Sequence, residues 1–174
     1  MSAGLYVLIA GTFGSGKSTL VRNLLNRHGG YQATGLVTRS SDGFFEAAGC
    51  YKEGKKYGGA DDFGKLSDIK PLVEASNAPV FLCEGVRAAT FGPISLCNFF
   101  AAKNGVFVYL FCDKELSAER IMSRSNKEMK SYKDFNSVLE GFRSIGIPCY
   151  RVSAAQSQDA VCDCMEHIIQ ENLR

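Results

Sequence analysis

The sequence predicts a three-layer α/β fold, in which a mostly parallel β-sheet carries helices on both faces. Three apolar runs predict buried strands, at residues 5–10, 80–84 and 106–112. Between them lie stretches with apolar residues at helical spacing, the first of them at residues 17–28. Strands without polar alternation are buried on both faces, and their alternation with helices is typical of parallel sheets.

The remaining elements follow from the same periodicities and from turn residues. Further strands are predicted at residues 34–39, 44–51 and 147–152, the first two being joined by the turn at residues 41–43. Further helices are predicted at residues 67–76, about 93–104, 115–125, 132–144 and 157–173. The glycine-rich residues 53–65 predict a mobile loop.

Length and composition predict one globular domain over residues 1–174. The chain has a mass of 18.9 kDa, with 45% apolar and 22% charged residues. No apolar run is long enough to span a bilayer, and we expect neither a signal peptide nor a membrane partner. The seven cysteines are odd in number and scattered, which favours buried or incidental thiols over disulfides. We therefore expect a reducing cytoplasm.

A phosphate-binding loop is the most specific motif in the chain. It has the form G-x-x-x-x-G-K-[ST], as Gly11-Thr12-Phe13-Gly14-Ser15-Gly16-Lys17-Ser18, followed by Thr19. In such a P-loop the main-chain N–H groups and the N-terminus of the next helix surround phosphates. Lys17 is expected to reach the outer phosphates of ATP, and the Ser18 hydroxyl to bind Mg²⁺. The strand before the motif and the helix after it supply the required context.

The predicted strand at residues 80–84 ends in a carboxylate. An acid at that position, here Glu84, can hold the Mg²⁺ water shell or accept a proton from an acceptor hydroxyl. Arg87, three residues later, is a cation that can neutralise a transferring phosphate. A strand end with solvated charges is the alternative interpretation for both residues.

With these motifs the chain resembles the P-loop nucleoside and nucleotide kinases. Arg120-x-x-x-Arg124 is similar to the helix that closes over ATP in that family, which implies a small lid at about residues 120–133. The resemblance also implies ATP and Mg²⁺ as cofactors and a five-stranded sheet of order 2-3-1-4-5. Residues 147–155 are similar to the last strand and the adenine-side loop. The spacing of Glu84 and Arg87 departs from the thymidylate and deoxynucleoside kinases, which place the two residues adjacent. A solvated basic helix face is the alternative for the two arginines.

A second resemblance concerns residues 57–64, Tyr57-Gly58-Gly59-Ala60-Asp61-Asp62-Phe63-Gly64. This segment is similar to a stretch of phage kinases that phosphorylate 5-hydroxymethyluracil in DNA. The resemblance implies Asp61 or Asp62 as the base and Tyr57 and Phe63 as stacking residues. It also implies the cytoplasm of a bacterial host as the location. A plain flexible loop is the alternative.

Other acceptors, bases and functions stay open at this point. Asp42, in a turn, is another candidate base, and free nucleosides or nucleoside monophosphates are the alternative acceptors. A GTPase switch would use residues 61–64 as D-x-x-G, but residues 126–129 do not complete the guanine-reading Asn-Lys-x-Asp. A non-transferring ATPase is a third class, although the chain has little room for a coupling domain. The oligomeric state is not predicted.

Overall fold

The computed structural model describes residues 4–54, 58–86 and 96–173, and the side chain of Cys97 is left out of the description. Within these residues seven strands form one sheet. The strands are β1 (Leu5–Ala10), β2 (Tyr31–Thr34), β3 (Val37–Ser40), β4 (Phe45–Ala48), β5 (Val80–Glu84), β6 (Gly105–Phe111) and β7 (Cys149–Ser153). The helices are α1 (Lys17–Arg27), α2 (Ile69–Ala75), α3 (Cys97–Ala101), α4 (Lys114–Ser125), α5 (Asn136–Ser144) and α6 (Gln158–Asn172). Two short 3₁₀ turns lie at Gly59–Asp62 and Leu66–Asp68.

The sheet has the strand order β2-β3-β4-β5-β1-β6-β7. The five strands from β4 to β7 along this order are mutually parallel, whereas β2 and β3 add an antiparallel hairpin at one edge. The prediction of a three-layer α/β fold is confirmed, and the predicted count of five strands is wrong. The expected order 2-3-1-4-5 describes the parallel part when β4 is taken as the second strand.

The hairpin replaces the single strand predicted at residues 34–39. Thr34 pairs with Val37, so the two residues between them form a tight turn. Gly35 occupies the first turn position with φ 61°, a conformation that suits glycine because it has no Cβ. The continuous β pattern of residues 34–39 therefore does not indicate that the chain reverses direction there.

Each face of the sheet packs against its own set of helices. On one face, alternate strand residues such as Val7 and Ile9 pack against the apolar sides of α1 and α6. On the other face, Tyr6, Leu8 and their neighbours contact α2, α3 and α5. This alternation places both hydrophobic clusters directly above and below β1, the central strand. No described helix is both long enough and apolar enough to span a bilayer.

The parallel strands all point their carboxyl ends at one edge of the sheet. Ala10 of β1, Glu84 of β5 and Phe111 of β6 lie at this edge, since β1 pairs in register with both neighbours. In open parallel sheets ligands bind beyond that edge. The fold thus brings together the ends of strands that are distant in sequence.

Candidate active site at the carboxyl edge of the sheet

The P-loop connects the central strand β1 to helix α1. Gly14 and Gly16 adopt φ values of 80° and 90°, which curl the main chain between the strand and the first helical residue, Lys17. An added Cβ at Gly11 would lie 2.6 Å from the carbonyl oxygen of Leu110. The loop therefore needs glycine at Gly14 and Gly16 for its curvature and at Gly11 for its close approach to β6.

Lys17 lies inside the curl of this loop. Its Nζ donates hydrogen bonds to the carbonyl oxygens of Gly11 at 2.9 Å and Thr12 at 3.0 Å. Burial lowers the pKa of Lys17, while the charges of Glu84 and Asp61 act in the opposite direction. An ammonium group held in this loop, next to a helix N-terminus, is suited to binding a polyphosphate.

Ser18 and Glu84 form the second part of the site. The Ser18 hydroxyl donates to Oε1 of Glu84 at 2.6 Å, and the Tyr51 hydroxyl donates to the same oxygen at 3.1 Å. Glu84 is only 2% exposed. Burial raises its pKa, and the charge of Lys17 and the two hydroxyl donors partly offset that shift.

The chemistry of this pair fits a magnesium ion. Mg²⁺ prefers hard oxygen ligands, and it is held in nucleotide sites by one or two protein oxygens together with phosphates and water. Ser18 and Glu84 supply a hydroxyl and a carboxylate oxygen at the P-loop. No group of three or more histidine, cysteine, aspartate or glutamate side chains suited to a metal occurs among the described residues. A metal at this pair would be held together with the nucleotide phosphates.

The segment from Gly58 to Phe63 packs over Glu84. An added Cβ at Gly59, whose φ is 71°, would lie 2.3 Å from the main-chain oxygen of Glu84 and 2.7 Å from its Cδ. Gly59 and Ala60 are buried, and Phe63 is in the core. For residues 58–63 the expectation of a mobile loop is thus wrong, because Gly59–Asp62 form a 3₁₀ turn that packs against the end of β5.

The two aspartates of this segment occupy different environments. Asp62 accepts a hydrogen bond from the main-chain N–H of Cys50 at 2.6 Å, so this carboxylate helps to hold the segment in place. Asp61 is exposed, and its charge acts on both Lys17 and Glu84. Of these two aspartates, Asp61 is the one whose charge acts on both Lys17 and Glu84. The suggested stacking role of Phe63 is wrong, because the ring is buried.

Helix α4 lies against the other side of the P-loop. The Ser117 hydroxyl donates to the main-chain oxygen of Phe13, and an added Cβ at Gly14 would lie 2.8 Å from the oxygen of Ser117. Arg120 donates to the carbonyl oxygen of Ala154 at 2.8 Å, linking α4 to the turn after β7. Arg124 is exposed, and its charge contributes to lowering the pKa of Lys17 after the larger effect of burial.

A cleft of about 250 Å³ opens between the P-loop, α4 and the turn after β7. Its polar lining consists of Ser15, Thr19, Asn23, Arg120, Ser123, Arg124, Gln156 and Gln158. Asn23 of α1 donates to Gln158 of α6 at 3.0 Å, across the outer end of the cleft. The predicted lid arginines and the predicted adenine-side loop thus line one concave surface beside the P-loop.

One other predicted site residue, Asp42, lies away from the P-loop. Asp42 is at the opposite edge of the sheet, before β4, where it accepts hydrogen bonds from Ser40 at 2.7 Å and the Phe44 N–H at 2.9 Å. It also pairs with His28 at 2.6 Å. Asp42 is therefore too far from the P-loop to serve as a base there. Arg87 and Tyr57 lie outside the described residues.

Some residues of the site were not predicted from the sequence. The sequence predicts only that Tyr51 lies in a strand, and nothing in its local pattern indicates that its hydroxyl donates a hydrogen bond to Glu84. Gln156 and Gln158 follow the last predicted strand, so the rule that ligands bind at carboxyl ends of parallel strands could have identified them. Ser117 lies in a helix whose docking on the P-loop depends on tertiary packing.

Sequence comparison identifies the family of this site. A family model described as "AAA domain" matches residues 7–144, from β1 through α5. The chain belongs to this family. The residues of this AAA domain protein that the family model matches include the P-loop, Glu84 and both arginines of α4. No curated protein matches the chain in sequence.

One solved structure, that of a gluconokinase, shows the same fold. The crystal structure of a gluconokinase from Sinorhizobium meliloti 1021 superposes with a TM-score of 0.53 at 16% identity, covering 98% of this chain and 95% of that one. A sugar kinase from Janibacter sp. HTCC2649 gives a TM-score of 0.43 at 16% identity, over 94% and 93% of the two chains. The AAA domain protein therefore shares the fold of a P-loop kinase.

Proposed function

We propose that the protein is an ATP-dependent kinase that transfers the γ-phosphate, with Mg²⁺, to a hydroxyl group of a nucleoside-type acceptor. One observation carries the proposal: Lys17, the Ser18–Glu84 pair and Arg124 converge on the carboxyl edge of one parallel sheet. These groups are the charges and ligands that stabilise a transferring phosphoryl group. The fold shared with the gluconokinase supports the same class of reaction.

Each residue of the proposed site has a separate role in phosphate transfer. Lys17 and Arg124 neutralise the charge on the transferring phosphate, while Ser18 and Glu84 would hold Mg²⁺, which would supply further positive charge to the phosphates. Asp61 accepts the proton of the acceptor hydroxyl, while the oxygen of that hydroxyl forms a bond to the γ-phosphorus. The bond from that phosphorus to the bridging oxygen breaks, and ADP leaves. We also propose Arg87, which lies outside the described residues, as a further cation that neutralises the transferring phosphate.

For the acceptor, we propose the hydroxymethyl group of 5-hydroxymethyluracil in phage DNA. The resemblance at residues 57–64 and the exposed, charged Asp61 support this choice. Exposed Lys127, Lys130 and Lys133 lie within the predicted lid and would attract a polyanion. Free nucleosides or nucleoside monophosphates are the second candidate acceptors, since neither the cleft nor the predicted lid has a feature that requires the acceptor to be part of DNA.

A labelled-phosphate assay tests both levels of the proposal. The protein is incubated with γ-labelled ATP, Mg²⁺ and one acceptor at a time: DNA with 5-hydroxymethyluracil, matched DNA with thymine, free nucleosides, nucleoside monophosphates, and gluconate. We expect label in the hydroxymethyluracil DNA and not in the thymine control. Label only in a small acceptor would reject the DNA assignment, and release of inorganic phosphate without an acceptor would favour a non-transferring ATPase. Transfer from GTP but not ATP would reject ATP as the donor.

A further inference from the structure

The carboxylate of Glu84 receives hydrogen bonds from two sides through one oxygen. Ser18 reaches Oε1 from the P-loop at 2.6 Å, and Tyr51 reaches it from the end of the β4 region at 3.1 Å. Tyr51 is only 1% exposed. Two donors on one buried oxygen fix the orientation of the whole carboxylate, because each deviation lengthens at least one hydrogen bond.

Tyr51 is itself held in place by its surroundings. Its main-chain N–H donates to Oγ1 of Thr38 at 3.0 Å, and the same hydroxyl donates to the carbonyl oxygen of Gly49 at 2.8 Å. An added Cβ at Gly58 would lie 2.7 Å from the Tyr51 ring, so the 58–60 segment closes directly on that ring. The phenol therefore has little freedom to turn away from Glu84.

We infer that Tyr51 is a positioning residue for the magnesium–nucleotide site, acting through Glu84. Its hydroxyl holds the carboxylate toward Ser18, the side on which Mg²⁺ and the phosphates would bind. The inference rests on the proposed nucleotide site, which it deepens by one residue outside the P-loop and the β5 strand end. Partners that orient a metal ligand change metal affinity by about 10–100-fold when they are removed.

The test is the variant Tyr51→Phe, which keeps the ring and removes only the hydroxyl. ATP is titrated calorimetrically into the wild-type protein and the variant, once with Mg²⁺ and once with EDTA. We expect Mg²⁺–ATP affinity to fall on the order of tenfold, with metal-free ATP affinity unchanged. A loss of equal size in both titrations would show a merely structural role, and no loss with Mg²⁺ would also overturn the inference.

A matched control and a double-mutant cycle sharpen the result. Tyr109 is likewise a buried tyrosine whose hydroxyl donates to a carboxylate, that of Asp134 at 3.3 Å, so Tyr109→Phe should change neither titration. If Tyr51 acts through Glu84, then Tyr51→Phe has no further effect in the Glu84→Gln background. An additive loss there would contradict the inference. Failure of the wild type to bind Mg²⁺–ATP would instead refute the proposed function.

Discussion

Ser18 and Glu84 are 66 residues apart in sequence, yet the Ser18 hydroxyl donates to Oε1 of Glu84 at 2.6 Å. The contact exists because β1 and β5 are adjacent parallel strands, with Ile9 in register with Glu84. The first turn of α1 and the end of β5 therefore lie side by side. This arrangement places a hydroxyl and a carboxylate where a P-loop protein binds magnesium.

Glu84→Gln is expected to separate nucleotide binding from transfer. The amide keeps the shape of the side chain but weakens the hold on the metal, so we expect transfer to fall tenfold or more while ATP still binds. Burial raises the pKa of Glu84, so its ionised form is costly to bury, but the variant also removes the charge that offsets the burial of Lys17. We expect these two effects to offset each other, so that the unfolding temperature changes little. Steady-state transfer and thermal unfolding measure the two effects. Glu74→Gln, at an exposed position on α2, is the control. Unchanged transfer, or a clear loss of stability, would count against this description of Glu84.

Gly59→Ala is expected to destabilise the protein and abolish activity. The added methyl would meet Glu84 at 2.3 Å, and the residue's φ of 71° is unfavourable for a side chain. Overpacking and the left-handed conformation together predict a loss of about 2–4 kcal/mol in the free energy of unfolding. Chemical denaturation measures the loss. Gly64→Ala is the control, since a Cβ there meets nothing within 4 Å, and its effect should stay within about 0.5 kcal/mol. Equal stability of the two variants would contradict the packing of this segment on Glu84.

Arg124→Ala is expected to slow phosphate transfer more than it weakens ATP binding. Its exposed guanidinium is held only by a hydrogen bond from Nε to the Arg120 carbonyl at 3.2 Å, among the contacts the structure describes, so it is available to the phosphates. Loss of one charge that acts on the transition state predicts a decrease in kcat of about a hundredfold. Steady-state kinetics and ATP titration are compared with Arg143→Ala, an exposed arginine on α5. A change confined to KM for ATP would assign Arg124 to nucleotide binding alone.

Asp42→Asn is expected to change acid stability without changing activity. Burial would raise the pKa of Asp42, but hydrogen bonds from Phe44, Ser40 and His28 lower it to about 2. The unfolded chain, with its carboxyl near 3.8, therefore binds more protons than the folded protein between these values. The stabilisation is present above about pH 4 and is lost as the pH falls toward 2. Unfolding experiments from pH 6 to pH 2 should show a wild-type advantage over Asp42→Asn that disappears in acid. A loss of phosphate transfer in this variant would restore Asp42 as a candidate base.

Local patterns in the sequence are sufficient to predict the buried parallel strands, the P-loop and the α/β class. Continuous apolar runs predict buried strands because a strand covered on both faces has no solvent-facing side chains. The P-loop motif predicts its own geometry, since Gly14 and Gly16 are needed for positive φ values. The carboxyl-edge rule then placed Glu84 beside the P-loop without any knowledge of the tertiary structure.

Features that depend on contacts between distant segments could not be predicted. The reversal at Gly35 falls inside a stretch with β propensity, so the sequence pattern predicts one strand where the structure has a hairpin. Gly59 was interpreted as a source of flexibility, whereas the fold uses its missing side chain for a close contact with Glu84. Asp42 is a candidate base from the sequence because it carries a carboxylate. Only the sheet topology shows that it lies at the edge of the sheet opposite the P-loop.

Equilibrium binding of Mg²⁺–ATP to the wild-type protein and to Lys17→Met tests the central claim most directly. Lys17 is the buried cation of the P-loop, and methionine keeps much of its length without the charge. We predict one ATP bound per wild-type chain and a loss of affinity on the order of a hundredfold in the variant, matching the loss of a preorganised charge. Binding of ATP that is equally strong in both proteins, or no binding of any nucleoside triphosphate by the wild type, would contradict the account.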